Sequence, residues 1–269
     1  MGDMEMADPQ TFSGAQERSA DPVVRKIGFA DLREAVVRGI ADFIAIPTHV
    51  IFVAIIYPVV GLFLARLTFG YDILPLLFPL ASGFALIGPF AAIGLYEVSR
   101  RREAGQDVTW EDAFGVRQSP SLGAIAALGL VLLVIFLAWL LVATVLYQSL
   151  FGAEWPESIG QFVTEVFTTT HGWALIILGN GIGFLFAALV LTISVVSFPL
   201  LLDRNIGAMT AIRTSVRAVR LNPVVMAGWG FFVAASLVVG ALPFFFGLAI
   251  VMPVLAHSTW HLYRRVVER

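Results

Sequence analysis

The 269-residue sequence contains no cysteine, which excludes a disulfide framework, cysteine-held zinc or iron–sulfur centres, and thioether-attached haem. Histidine is nearly as scarce, and His49, His171, His257 and His261 are the whole imidazole complement. Charged residues make up only 13% of the chain, about half the share of a soluble domain. A soluble globular fold is excluded. Collagen-like, coiled-coil and disordered readings also fail, because there is no glycine period, no sustained heptad, and too much aliphatic and aromatic material at 58% hydrophobic. The net charge of −2 comes with basic residues that are segregated along the chain, so no patch tracks phosphates and nucleic acid is not an expected partner.

What is present is a series of long apolar runs. Six of them reach the length of about 20 residues that crosses the hydrocarbon core of a bilayer: Phe43 to Ala65, Ile73 to Tyr96, Leu122 to Leu146, Trp173 to Leu202, Val224 to Leu242 and Phe244 to Leu262. Backbone groups cannot stay unpaired in lipid, so each run is expected to be a helix, and the short alternating segments of a barrel are missing. The fold class is therefore an all-α, polytopic transmembrane bundle of six spans. Between the last two spans the only turn signal is Gly240 with Pro243, which predicts a tight hairpin. Residues 1–25 are acidic and polar without an apolar run, and are expected to form a disordered cytoplasmic tail; they lack the pattern of a secretory signal. Residues 26–269 form the membrane domain.

Orientation follows from charge. Of the seventeen Lys and Arg residues, only Arg66 falls on one side; the other sixteen precede span one, follow span six, or lie between spans two and three and between spans four and five. This bias places both termini in the cytoplasm. The segment Phe151 to Thr170 on the other side carries acids and no basic residue. Tyr147, Trp155 and Trp173 are expected in an outer aromatic belt, and Tyr96, Trp260 and Tyr263 in an inner one.

Taken in pairs, the spans repeat. Each odd span follows a short amphipathic segment and a proline: Phe29 to Asp42 then Pro47, Trp110 to Gln118 then Pro120, Ile206 to Leu221 then Pro223. Pro89, Tyr96, Glu97, Arg100 and Arg101 match Pro253, Trp260, His261, Arg264 and Arg265 in register. Three copies of an interfacial helix plus a helical hairpin are expected. The third segment sets Ile206, Met209, Ile212, Val216 and Val219 on one face beside Arg213, Arg217 and Arg220. Those arginines either hold topology or attract anionic lipids, in addition to the bilayer itself.

Ionisable groups deep in a span mark function by default, and here there are almost none: Asp42, Asp72, Glu97 and Asp203 sit at span ends within reach of water. The candidate ligands are histidines. His49 and His257 lie at matching depth and are the candidates for a haem pair. His257 and His261 are four apart on one helical face, and with Glu97 they are the candidates for a metal ion; the competing reading makes them hydrogen-bonding or interfacial residues. Gly179, Gly183 and Ala187 form a small-residue ladder suited to close helix packing or a homo-oligomer, with Asn180 beside it as an interhelical donor. Prolines and glycines in span two predict a kinked or partly unwound helix. No nucleophile, base and orienting group share a recognisable spacing.

Ser197 to Arg204, Ala211 through Thr214, Ser215, Asn222, Pro223, Trp229 and Gly230, and Pro253 through His257, Ser258, Thr259, Trp260, His261, Leu262, Tyr263 and Arg264 resemble a bacterial membrane family, domain-of-unknown-function family 2189. Gly88, Pro89 and Gly94 to Glu97 with Arg100 are similar to it as well. The resemblance covers about residues 25 to 267 and implies an integral membrane fold with no known activity. Some members carry a cytochrome c oxidase label, but a haem–copper core needs more histidines than this chain has. The expected function is non-enzymatic, without cofactor: a small-solute facilitator or a scaffold of a membrane complex. The alternative is a haem- or metal-binding accessory of a respiratory system.

Overall fold

The computed structural model describes residues 22–46, 74–152, 156, 158–243 and 245–268. Among them the fold is all-helical: α1 Phe29–Ala45, α2 Leu77–Ala91, α3 Ile93–Glu103, α4 Leu122–Phe151, α5 Ile159–Thr168, α6 Thr170–Ser194, α7 Ser197–Asp203, α8 Ala208–Leu221, α9 Pro223–Ala241 and α10 Leu248–Val266, with 3-10 turns at Leu74–Leu76 and Trp110–Gln118. Three described segments are long and apolar enough to cross a membrane: Leu122–Phe151, Thr170–Asp203 and Pro223–Ala241. Of expected span one, Phe43 to Ala65, the first residues end α1 and residues 47–65 lie outside the described residues, as do Arg66, Asp72 and Trp155.

The long helices are apolar all round, which is what a lipid-facing span requires. Leu141 on α4, Phe184 on α6 and Phe231 on α9 are exposed. Only 22% and 17% of the most apolar windows of α4 and α9 are buried, against 56% for the segment containing α6 and α7; the latter is the central element. Packing of α6 on α4 uses the small-residue ladder within the chain, since Gly183 faces the ring of Trp139 and Gly179 faces Leu146. Among the described residues the Asn180 amide stays within its own helix, donating to Ile176 O 2.7 Å away.

The segment expected as span two is interrupted, as its composition predicts. A 3-10 turn leads into α2, Pro89 sits inside it, and the helix breaks at Ala92 before α3, because proline supplies no N–H to the ladder. The Trp139 indole N–H donates to Pro79 O across the interface, at 2.9 Å. The turn between α9 and α10, expected as a tight hairpin, is longer than expected. α9 ends at Ala241 and α10 begins only at Leu248, because the close pair is Gly240 against Gly247, where a Cβ on Gly247 would lie 2.8 Å from Gly240 O. Within the acidic segment Phe151 to Thr170 there is an unforeseen amphipathic helix, α5, capped by the Ser158 hydroxyl, which accepts from Gln161 N.

At one end of the bundle, all the arginine-rich elements meet. Val24 bridges Val267 in antiparallel fashion, Arg25 pairs with Glu268 at 2.9 Å, and Asn222 at the α8–α9 corner accepts from Ile27 N and donates to Arg25 O. The chain is thus tied down from Val23 onward, ahead of the tail boundary expected at Arg25, by backbone bonds from Arg25 N to Val266 O and Glu268 N to Val23 O. Ser121 at the start of α4 donates to Arg204 O after α7. We call this the basic end.

The deepest core also lies there. Val196, Phe198, Leu200, Leu201, Trp260 and Leu262 are fully buried. The inner aromatic belt is accordingly corrected: Tyr96, Trp260 and Tyr263 are core residues. Their polar atoms find protein partners, so they gain nothing from a headgroup layer. Of the expected outer belt, Trp173 is exposed whereas Tyr147 is buried, stacked on Phe151 and tilted against Phe162 of α5.

α8 also turns a different face inward from the one its apolar stripe suggested. Ala211, Thr214, Ser215 and Ala218 are buried, while Met209 is exposed and Ile212 and Val219 only partly covered. Small side chains let α8 approach α6 and α7 closely, and Ser215 Oγ accepts from Val196 N. Arg213, Arg217 and Arg220 remain on the exposed side.

Candidate functional site

The largest concentration of buried polar chemistry joins α1, α3 and α10 at the basic end. α1 has three faces: Leu32, Ala35, Gly39 and Asp42 are buried, Val37, Ile40 and Ile44 are exposed, and Asp31, Glu34 and Arg38 form a charged edge. The buried face consists largely of small residues, so α1 lies almost against the backbone of α10; a Cβ on Gly39 would stand 2.6 Å from Ser258 N. That approach delivers Asp42, one turn later, to the polar half of α10.

Asp42 is the hub. Its Oδ2 lies 2.8 Å from His261 Nε2 and accepts from Ser99 Oγ at 2.6 Å. Its Oδ1 accepts from Arg102 Nη1 at 2.7 Å, and the same guanidinium nitrogen reaches Ala41 O. Burial pushes the Asp42 carboxyl up, but hydrogen bonds from His261 and Ser99 outweigh it and hold the group below the usual carboxylate range. An ionised Asp42 only accepts, so His261 Nε2 donates to it. Ser99 gives its single proton to Asp42, which leaves its oxygen to accept from His257 Nδ1, 2.7 Å away. The network fixes which ring nitrogen of each imidazole donates into it.

Serine, histidine and aspartate within hydrogen-bonding distance invite comparison with a nucleophilic triad, and the geometry rejects it. In a triad the carboxylate orients the imidazole that activates the serine; here the carboxylate bonds the serine itself and a different histidine. Ser99 and His257 are both at 0% exposure, so no substrate reaches the hydroxyl. This arrangement clamps three helices together.

Two further clamps flank it. Arg264 on α10 pairs with Glu103 of α3 and Asp203 of α7, each at 3.0 Å, while Trp260 Nε1 donates to Glu103 and Tyr263 OH to Asp203. Burial and the Asp203 carboxylate push the Tyr263 hydroxyl above the usual phenol range. Glu97 accepts from Arg100 and Arg101, at 2.8 and 2.6 Å, and Arg101 continues to Asp112 in the turn Trp110–Gln118. Asp42 and Glu97 are therefore buried rather than bathed by water as expected at span ends, because cationic side chains close over them.

The candidate ligands can now be placed. His257 and His261 belong to one network, as their spacing indicated, but around Asp42 and Ser99. Glu97, grouped with them by register, is engaged by its own two arginines instead. His49 lies outside the described residues. Among the described residues no group of three or more His, Asp or Glu is arranged to hold a metal ion. Sequence reading passes over Ser99 and Arg102, because their partners lie far away in the chain; the only local signal is a serine at the head of an arginine run.

Glu97 gives a pH test. Burial raises its carboxyl, yet the hydrogen bonds of Arg100 and Arg101 hold it below the ordinary glutamate value of 4.5. A depressed folded-state value means the stabilisation is complete above the unfolded value and is lost as pH falls through the folded one. Thermal stability in detergent should therefore decline progressively as pH falls below about 4.5, and Glu97→Gln should flatten that acid limb while lowering stability at neutral pH. An unchanged acid limb would show that Glu97 is not a source of it.

Residues 77–203 match the family described as "Predicted integral membrane protein (DUF2189)". The match ends at Asp203, so the motifs from Ala211 onward fall outside it. No curated protein and no solved structure matches the chain.

Proposed function

We propose that the chain whose residues 77–203 belong to this integral membrane family is a six-span protein of the bacterial inner membrane with both ends cytoplasmic, built from three interfacial-helix hairpins. It serves as a non-enzymatic scaffold of a membrane complex, without haem or metal. One observation carries the reading: among the described residues, every buried side-chain nitrogen and oxygen has a hydrogen-bond partner. The buried polar groups of the basic end are consumed in joining helices, whereas a catalytic centre keeps some of them aimed at substrate. Above that end, α4 and α9 offer apolar surface suited to lipid or to neighbouring spans. The alignment of Arg213, Arg217 and Arg220 on the exposed side of α8 supports attraction to an anionic leaflet.

The test uses purified protein in liposomes and in mild detergent. Water, glycerol, urea and chloride should cross protein-bearing liposomes no faster than empty ones by stopped-flow scattering. The same sample should show no Soret band, oxidised or dithionite-reduced, and no stoichiometric metal. Blue-native electrophoresis of solubilised membranes should show the protein in a discrete species larger than its purified form. Saturable flux would replace the scaffold with a facilitator, and a chromophore or metal lost in His257→Ala would replace it with the respiratory reading.

A further inference from the structure

At the basic end, a cleft of about 390 Å³ opens between the segment before α1, the charged edge of α1 and the end of α10. Five cations line it, Arg25, Lys26, Arg38, Arg264 and Arg265, against two carboxylates, Asp31 and Glu103. Its volume falls within the range of small-molecule sites.

The acids nearby are already shared. Asp31 Oδ2 accepts from Gly28 N at 2.9 Å and so caps α1, with Arg265 facing its other oxygen at 3.8 Å. Glu34 takes both Arg38 and Arg265. Glu103 takes the Trp260 indole and Arg264, and Arg25 spends its Nε on Glu268. Each guanidinium offers five N–H donors and the ammonium three, so the donors outnumber the acceptors that these carboxylates present. The Arg38–Glu34 and Arg25–Glu268 pairs have largely exposed side chains, and exposed pairs are weak enough to be exchanged for a better acceptor. A phosphate group, with several charged oxygens and a shape that accepts guanidinium bidentately, is such an acceptor.

We propose that this cleft binds a phosphate-bearing anion, held chiefly by Arg25, Lys26, Arg38 and Arg265. Two sources share that chemistry. The same helix carries exposed Val37, Ile40 and Ile44 on another face, an apolar surface that the acyl chains of a phospholipid would cover while its headgroup occupied the cations. A soluble phosphate compound would enter from the aqueous side. The site is separate from the arginines of α8, and the inference does not depend on the scaffold reading.

The experiment uses the full chain in detergent. Native mass spectrometry would compare retention of added phosphatidylglycerol with that of phosphatidylcholine. Thermal unfolding would compare inorganic phosphate with chloride at equal ionic strength. Two variant pairs remove cleft cations, Lys26→Gln with Arg38→Gln and Arg25→Gln with Lys26→Gln, so that a folding defect in one leaves the other. Arg213→Gln with Arg220→Gln tests the α8 face. Preferential retention of phosphatidylglycerol, weakened about fivefold per cleft cation removed and little changed by the α8 pair, is expected for a headgroup site. Stabilisation by phosphate alone, lost in the cleft variants, identifies a soluble phosphate compound. The proposal is overturned if neither probe binds in preference to its control, or if binding survives both cleft pairs.

Discussion

Asp42→Ala is expected to destabilise the protein by about 3–5 kcal/mol, the range for removing one partner from a buried ion pair. The carboxylate serves His261, Ser99 and Arg102 at once, and its loss leaves the donors of His261 and Ser99 facing no carboxylate in a place that water barely reaches, while Arg102 keeps Ala41 O and solvent. Asp42→Asn keeps the shape but only one acceptor oxygen, and should fall between the wild-type chain and Asp42→Ala. Glu34 supplies the contrast, because its side chain and those of its partners Arg38 and Arg265 are each a third or more exposed, and Glu34→Gln should cost only about 1 kcal/mol. Thermal unfolding in a single detergent, followed by near-ultraviolet circular dichroism, compares all three variants. Equal midpoints for Asp42→Ala and Glu34→Gln would mean that the network does not clamp the helices.

The second large effect is expected from one methyl group. In Gly39→Ala the new Cβ would collide with Ser258 Oγ and stand 2.6 Å from Ser258 N and 2.8 Å from its Cα. The hydroxyl could rotate away; the backbone could not. α1 must lift from α10, at a cost near the upper end of the roughly 1–3 kcal/mol typical of overpacking. It would also carry Asp42 away from His261, so the Gly39→Ala and Asp42→Ala substitutions should be less than additive when combined. A Cβ added to Gly123, in the first turn of α4, would meet nothing within 4 Å, and Gly123→Ala should be neutral or stabilising by up to about 1 kcal/mol. A Gly39→Ala protein as stable as Gly123→Ala would contradict the close approach.

These residues show how far local reading reaches. Gly39 and Ser258 carry no sequence signal of meeting, since a glycine in an amphipathic helix and a serine in a polar helix end are each ordinary alone. The periodicity of α1 does announce an amphipathic segment, and the proline and glycine content of span two announces its interruption. α5 is legible too, in Ser158 followed by Ile159, Phe162, Val163 and Val166 at helical spacing, but the acidic loop around it draws attention to charge instead. The face of α8 is misjudged for a definite reason: hydropathy favours Ile212, Val216 and Val219, whereas close packing favours the small Ala211, Ser215 and Ala218.

The sequence by itself determined the medium and the material. A chain this apolar must satisfy its backbone internally, so its spans are helices, and the scarcity of cysteine, histidine and mid-span charge bounded the available chemistry. Clustered arginines marked which segments share one end. Only the tertiary structure decided what the few polar groups do. His257 and His261 are four residues apart in any helix, but whether they face a metal, a headgroup or Asp42 depends on an approach between α1 and α10, elements about 200 positions apart in the chain. Glu97 likewise had two possible fates, and the arginines one turn below it settled on an ion pair. Helix formation is a local consequence of solvent and periodicity; the partners of a buried charge are set by which helices pack together.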